Sequence, residues 1–237
     1  MTVHLGADRG RARSRFYPWI ALTACLIVLI GFSRTYYLNT VFGTPELPPL
    51  RHIHGLVMTL WFVLFFVQAT LVAKGRTDLH RRLGVLGALW AALVVVVGVI
   101  TAIDAGQRGA SPGPPPLMFM VVPLGDMVIF TILVGTGLSL RRRSDMHKRL
   151  MLVGTLSMLP AAIARIPLAV VQGHRPMVPF GATDLIILAC VAYDTWTHRR
   201  LHPAFGWAAL LVVASHPLRF MLAQTDAWMR FATWVTQ

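Results

Sequence analysis

Seven apolar runs divide the chain, at residues 17–37, 53–73, 83–103, 117–140, 149–171, 181–197 and 204–223, and short polar connectors separate them. Each run approaches the roughly 20 helical residues needed to cross a hydrocarbon core about 30 Å thick. The pattern predicts an all-α polytopic membrane protein, a seven-helix transmembrane domain over 17–223 with a basic tail at 1–16 and a C-terminal tail at 224–237. "LTAC" (Leu22 to Cys25) has the form of a lipoprotein cleavage site, but apolar residues continue through Ile30, which predicts an uncleaved first helix.

The connectors resemble one another. "TDLHRRLGVLGAL", beginning at Thr77, returns 67 residues later as "SDMHKRLMLVGTL", beginning at Ser144, and "HRRL" recurs at His198 to Leu201. Such an echo predicts a duplicated two-helix hairpin. Thr77/Asp78 and Ser144/Asp145 are expected to cap the helices that follow, and Asp suits the positive pole of a helix dipole. Neither role explains a histidine at the same place three times. On the opposite side the connectors carry Tyr36, Tyr37, Pro45, Pro48 and Pro49 in one case and "SPGPPP" (Ser111 to Pro116) in another, where proline forbids a continued helix.

Composition agrees with the apolar pattern: 56% of the 237 residues are apolar and 13% are charged, against about 25% charged in soluble domains. A net charge of +13 raises the question of nucleic acid, and the placement of the cations answers it. Fifteen Lys and Arg residues fall in the N-terminal tail and the connectors on its side, whereas the opposite loops hold four: Arg34, Arg51, Arg108 and Arg175. The positive-inside rule then predicts a multi-pass protein of a bacterial cytoplasmic (inner) membrane, N-terminus inside and C-terminus outside. Its basic face meets the headgroups of the lipid bilayer, and no nucleic-acid partner is expected. Cys25 and Cys190 both lie within apolar runs, so no disulfide is expected. The two lysines, Lys74 and Lys148, both sit in basic connectors, which excludes a retinal Schiff base in the bundle core.

Ionisable groups within a bilayer are expensive unless paired or lining a cavity, so they are the candidate functional residues. They sort into two layers. The outer layer holds His52, His54, Asp126, Arg165, Asp184, His216 and Arg219, and the inner layer holds His80, His147, His198, His202, Asp78, Asp145 and Asp194. Asp126 with Arg165, and Asp184 with Arg219, are candidate buried ion pairs. The same residues with His52 are equally a polar ligand site open to the outside, beside the helix-kinking Pro160, Pro167 and Pro217. His54 and His216 at similar depth, and His80 with His147 below them, are candidate axial ligand pairs for haem b, with Arg165 and Arg219 available to its propionates. His198 and His202, four apart, are a candidate site for zinc or another transition metal, although Pro203 biases His202 away from helix.

"HGLVM" (His54 to Met58), followed by "LHRRLG" (Leu79 to Gly84), resembles cytochrome b561-type membrane proteins, and "HKRLM" (His147 to Met151) is similar to segments of small helical proteins linked to cytochrome oxidase maturation. The b561 resemblance implies His54 and His80 as haem ligands on opposite sides of the membrane. The chain departs from it in lacking a histidine in the fourth run, in reading "HG" for "HP", and in having seven runs. As a whole the sequence resembles uncharacterised seven-helix bacterial membrane proteins, which implies a fold and no activity. The leading expectation is a haem b redox protein exchanging electrons with a quinone. The alternatives are a small-ligand transporter or binding protein, a metal-dependent membrane hydrolase like the progestin and adiponectin receptor-like proteins, and a noncatalytic accessory subunit of a respiratory complex.

Overall fold

The computed structural model describes residues 3–111, 114–168, 171 and 177–237, with side chains from Arg15 onward. Arg175 and residues 112–113 of the proline stretch lie outside the described residues, as do the side chains of Arg9, Arg11 and Arg13. The chain is helical, with no strand among the described residues. In order, α1 is Val3–Gly31, α2 Pro49–Ala73, α3 Thr77–Gln107, α4 Pro116–Phe119, α5 Val121–Ser139, α6 Ser144–Leu156, α7 Pro160–Ile163, α8 Met177–His198, α9 Pro203–Ala223 and α10 Asp226–Thr236. A π-helical turn, Ser33–Tyr37, follows α1.

Among the described residues, five helices are long and apolar enough to cross a membrane: α2, α3, the continuous pair α4–α5, α8 and α9. Their outward faces are apolar, with Leu89 67%, Leu185 69% and Trp207 70% exposed, a surface suited to hydrocarbon rather than water. The remaining two expected spans take other forms. The apolar part of α1 is the 17-residue stretch Arg15–Gly31, and the helix starts well before it, at Val3, where a polar tail was expected. The run expected to form one helix over 149–171 is broken into α6 and α7 by a turn at 157–159. Pro160 opens α7, and its ring and missing amide are incompatible with an unbroken helix through that point.

That break lies inside the protein. α1 packs on α2, α2 on α3, α3 on α5, α5 on α9 and α9 on α8, and α8 returns to α1 by way of α7. α6 runs within this ring against α1, α5, α8 and α9. Leu152, Leu156 and Leu159 are fully enclosed, and Trp61 of α2 meets Phe130 of α5 edge-to-face at 5.0 Å. Non-helical backbone at membrane depth is tolerated where protein surrounds it, because lipid offers it no hydrogen bonds.

The repeated connectors make equivalent hairpins, α2–α3 and α5–α6, and their histidines do equivalent work. His147 Nδ1–H donates to the Gly137 carbonyl of α5 at 2.8 Å. With the Gln68 amide turned to satisfy both neighbours, its Nε2–H donates to His80 Nδ1 at 2.7 Å. Each imidazole thus pins the start of one helix to the end of the helix before it. The expected capping is not made: Arg76 and Arg143 occupy the N-cap positions and neither side chain caps. Asp78 instead lies 3.7 Å from Arg76, and Asp145 reaches α9. Both aspartates still sit in the first turn, where the helix dipole favours them.

At the other end, Tyr36 and Tyr37 tie the first loop to α2 through the His52 carbonyl and the Thr59 hydroxyl. The C-terminal residues expected as a tail form α10, packed on α3 and α4, where Trp228 Nε1–H donates to the Leu117 carbonyl at 2.9 Å. Both cysteines are free; Cys25 Sγ–H donates to the Phe62 carbonyl at 3.3 Å.

Glycines set how closely helices approach. A Cβ on Gly31 would collide with the Ala162 carbonyl of α7, whereas one on Gly135 meets nothing within 4 Å. Gly31→Ala is expected to lose about 1–3 kcal/mol through overpacking, and Gly135→Ala to gain up to about 1 kcal/mol of helix propensity. Thermal unfolding of both variants in one detergent measures the contrast.

Candidate functional site

Four ionisable side chains from three spanning helices meet at the end of the bundle away from the repeated connectors. Arg219 on α9 points at α5, where its Nη1 donates to Asp126 Oδ1 at 2.5 Å and its Nη2 donates to the Ser215 hydroxyl at 3.3 Å. One turn away, His216 Nδ1 stands 3.2 Å from the Asp184 carboxylate of α8. Phe180 covers the pair, its ring 4.3 Å from the His216 ring and 6.0 Å from the Arg219 guanidinium. Gly125 makes the Arg219 position available, since a Cβ there would come within 2.6 Å of Nε.

The partners are exchanged relative to the expected pairs. Asp126 takes Arg219, not Arg165, and Asp184 takes His216, not Arg219. Two positive and two negative groups therefore balance when His216 is protonated. Asp126, His216 and Arg219 are buried, with 7%, 4% and 5% exposure, while Asp184 is half-buried. His216 Nε2 and Arg219 Nε remain without a hydrogen-bond partner among the described residues. Leaving a buried donor or acceptor unpaired costs about 1–3 kcal/mol.

The other members of the outer layer go elsewhere. Arg165 is exposed, lies 4.7 Å over the Phe32 ring and donates to the Ala161 carbonyl. His54 on α2 is half-buried near Arg165, its Nδ1 without a partner among the described residues, and His52 is exposed beside Tyr36. His54 on α2 and His216 on α9 stand on helices that are not neighbours in the ring, and no contact joins the two side chains among the described residues. His80 and His147 do approach, with ring centroids 6.2 Å apart at an interplanar angle of 72°.

Scanning known protein families, curated proteins and solved structures found no match to the chain. A second polar cluster lies at the end bearing the repeated connectors. Arg149 of α6 and Asp194 of α8 form a two-pronged pair, Nε to Oδ2 at 3.0 Å and Nη2 to Oδ1 at 2.8 Å, both side chains almost wholly enclosed. His198 Nδ1–H donates to the Asp194 carbonyl at 2.8 Å. His202 Nε2–H donates to Asp145 Oδ2 at 3.1 Å and holds that carboxyl below its ordinary pKa.

His198 and His202 do not stack one turn apart on a helix. α8 ends at His198 and α9 begins at Pro203, and between them Arg199 adopts φ of 58°, a left-handed conformation that costs a non-glycine residue about 1–3 kcal/mol. Among the described residues no three His, Cys, Asp or Glu side chains gather as a metal ion would require.

Sequence reasoning missed the Arg149–Asp194 pair, and the repeat hides it. Arg149 matches Arg82 in the heptad, yet Arg82 is exposed and Arg149 is 3% exposed. The available signal was Asp194, an acid within an apolar run. Asp194→Ala is expected to strand a buried guanidinium and cost about 3–5 kcal/mol, whereas Arg82→Ala stays within about 0.5 kcal/mol; chemical unfolding of the two variants measures it. The Asp145–His202 bond carries a pH signature. A carboxyl whose pKa falls on folding stabilises above its ordinary value near 4 and loses that contribution as pH drops through the lower folded value. The stability difference between the native chain and Asp145→Asn is therefore expected at neutral pH and expected to vanish in strong acid, as followed by helix content against pH.

Proposed function

We propose that this membrane protein binds and carries a small charged solute at the Asp126–Asp184–His216–Arg219 cluster. The observation that carries the reading is that two buried nitrogens of the cluster, His216 Nε2 and Arg219 Nε, lack a hydrogen-bond partner among the described residues, although its charges balance with His216 protonated. A structural lock would satisfy its own buried polar atoms, whereas a solute site keeps some for its ligand. The broken α6–α7 segment at the centre of the ring adds support, since discontinuous helices accompany solute sites in transporters. So does the duplicated hairpin.

In the bilayer, α1 and the α6–α7 segment supply two further crossings beside the five long helices, giving seven with the N-terminus inside and the C-terminus outside. The junctions α2–α3, α5–α6 and α8–α9 carry the Lys and Arg excess and face the cytoplasm of a bacterial inner membrane. The cluster then lies toward the outer side, and its two carboxylates, imidazole and guanidinium suit a solute bearing both charges or exchanging one for a proton.

Haem b is a second reading, and its specific support is the 6.2 Å approach of His80 and His147. His147 offers Nε2 once Nδ1 is held by the Gly137 carbonyl, the arrangement common in metal-ligating histidines. The outer pair does not share that support, because no contact joins His54 and His216 among the described residues. A haem held at the basic end would supply one-electron chemistry toward a quinone, and His80 and His147 would hold its iron.

One preparation separates the readings. Purified protein screened by thermal shift against small carboxylates, amino acids and amines is expected to gain melting temperature with one class and to take it up in proteoliposomes. Asp184→Asn and His216→Gln are expected to abolish both responses, and indifference of both responses to both substitutions sinks the solute site. The reduced-minus-oxidised spectrum of the same sample, from cells given a haem precursor, is expected to be featureless; a b-type band removed by His147→Ala replaces this reading with haem.

A further inference from the structure

A recess of about 150 Å³ opens where α6, α8 and the start of α9 converge, lined by Asp145, Lys148, Arg149, His198, Arg200 and His202. Nothing in the solute site or the haem reading uses it. We infer that this recess is a binding site for a single tetrahedral phosphate, presented by the headgroup of an anionic lipid or as the free ion.

Several independent features converge on an anion of that size. Three permanent cations, from α6 and from the α8–α9 turn, line one small space, and the balance stays positive after Asp194 neutralises Arg149 and Asp145 is counted against the others. Arg149 is immobilised by its two-pronged bond to Asp194 and a further bond to the Asp145 carbonyl, so it is a rigid, charge-balanced wall and the net positive charge of the recess comes from Lys148 and Arg200. The positive pole of α9 begins here as well: His202 is its N-cap and supplies no side-chain cap, and Pro203 occupies the first turn. His202 lines the rim and gives Nε2–H to Asp145, which holds the ring in place. The left-handed Arg199 brings Arg200 and His202 to the same rim, at the cost of backbone strain of a kind that gathers at functional positions.

Size and place narrow the ligand further. A water occupies about 30 Å³, so a recess of about 150 Å³ has room for one phosphate group and not for a whole nucleotide or lipid, whose remainder would stay outside. It lies at the end of the bundle marked by the basic connectors, the level at which headgroups of anionic lipids meet basic pockets between helices. Asp145 lines the same recess, and its negative charge is already counted in that balance; its bond to His202 fixes the imidazole against the rim.

The full chain in zwitterionic detergent, titrated separately with short-chain phosphatidic acid, short-chain phosphatidylcholine and inorganic phosphate, tests the site by native mass spectrometry. One phosphatidic acid per chain is expected to bind, phosphatidylcholine is not, and Arg200→Gln and Lys148→Gln are each expected to weaken binding about five-fold, the loss of one cation near a headgroup. Arg200→Lys is expected to retain most of the affinity, and the paired control Arg141→Gln with Arg142→Gln, exposed residues outside the recess, to retain all of it. Binding of phosphatidic acid without inorganic phosphate assigns a lipid ligand, and binding of both assigns the phosphate group itself. No one-to-one binding of either, or an equal loss in the Arg141/Arg142 control, overturns the site in favour of diffuse attraction to the basic face. Should Arg200→Gln melt early, the comparison of Lys148→Gln with Arg200→Lys decides by the same criteria.

Discussion

Hydrocarbon cannot hydrogen-bond, and the rest of this structure depends on that constraint. A helix broken at Ser157 to Leu159 and an ionised Arg149 have no place on a lipid-facing surface, so both are folded into the centre of the ring. Pro160 forces the break, the surrounding helices enclose it, and Asp194 answers the guanidinium with a bidentate bond. The ring α1–α2–α3–α5–α9–α8 is thus organised around the segment least able to meet lipid. The outward faces of the other helices need only be apolar.

The same constraint decides where chemistry resides. Each polar cluster sits between helices rather than on their outer faces, and each joins elements far apart in the chain: α5, α8 and α9 at one end, α6, α8 and α9 at the other. α8 and α9 take part in both clusters. Movement of this pair against α5 and α6 would alter both sets of ion pairs together, which gives the two ends a shared mechanical element. Phe180 over His216 and Gly125 beneath Arg219 show how the apolar and small residues at the upper site are shaped to its charged ones.

The recurrent histidine receives a physical explanation from the hairpins. His80 and His147 bond backward to Gln68 and Gly137 on the preceding helices, so a polar side chain able to reach across the turn is needed at that place. His198 lacks a preceding hairpin partner and bonds within its own helix to Asp194. The aspartates of the heptads, expected to cap, favour the dipole instead, because Arg76 and Arg143 take the cap positions. Duplication of a sequence therefore carried over the hairpin pin but not the surroundings: Arg82 faces outward and its counterpart Arg149 is buried.

The helical class, the membrane habit and the five long apolar helices follow from local properties, length and hydropathy, which a sequence displays directly. The candidate polar residues were legible too, because an acid or a cation inside an apolar run is conspicuous whatever its partner. Partner choice was not legible. Asp126 pairs with Arg219, Asp184 with His216 and Arg149 with Asp194 because of which helices adjoin in the ring, and adjacency depends on packing across separations of 93, 32 and 45 residues. The fifth apolar run likewise reads as a span by hydropathy, and its division at Pro160 is stable only because the neighbouring helices bury the freed backbone. The sequence by itself determined what each segment is made of and where charge must be answered; the tertiary structure decided which groups answer it, since electrostatic and packing energies depend on distances in space that no local pattern encodes.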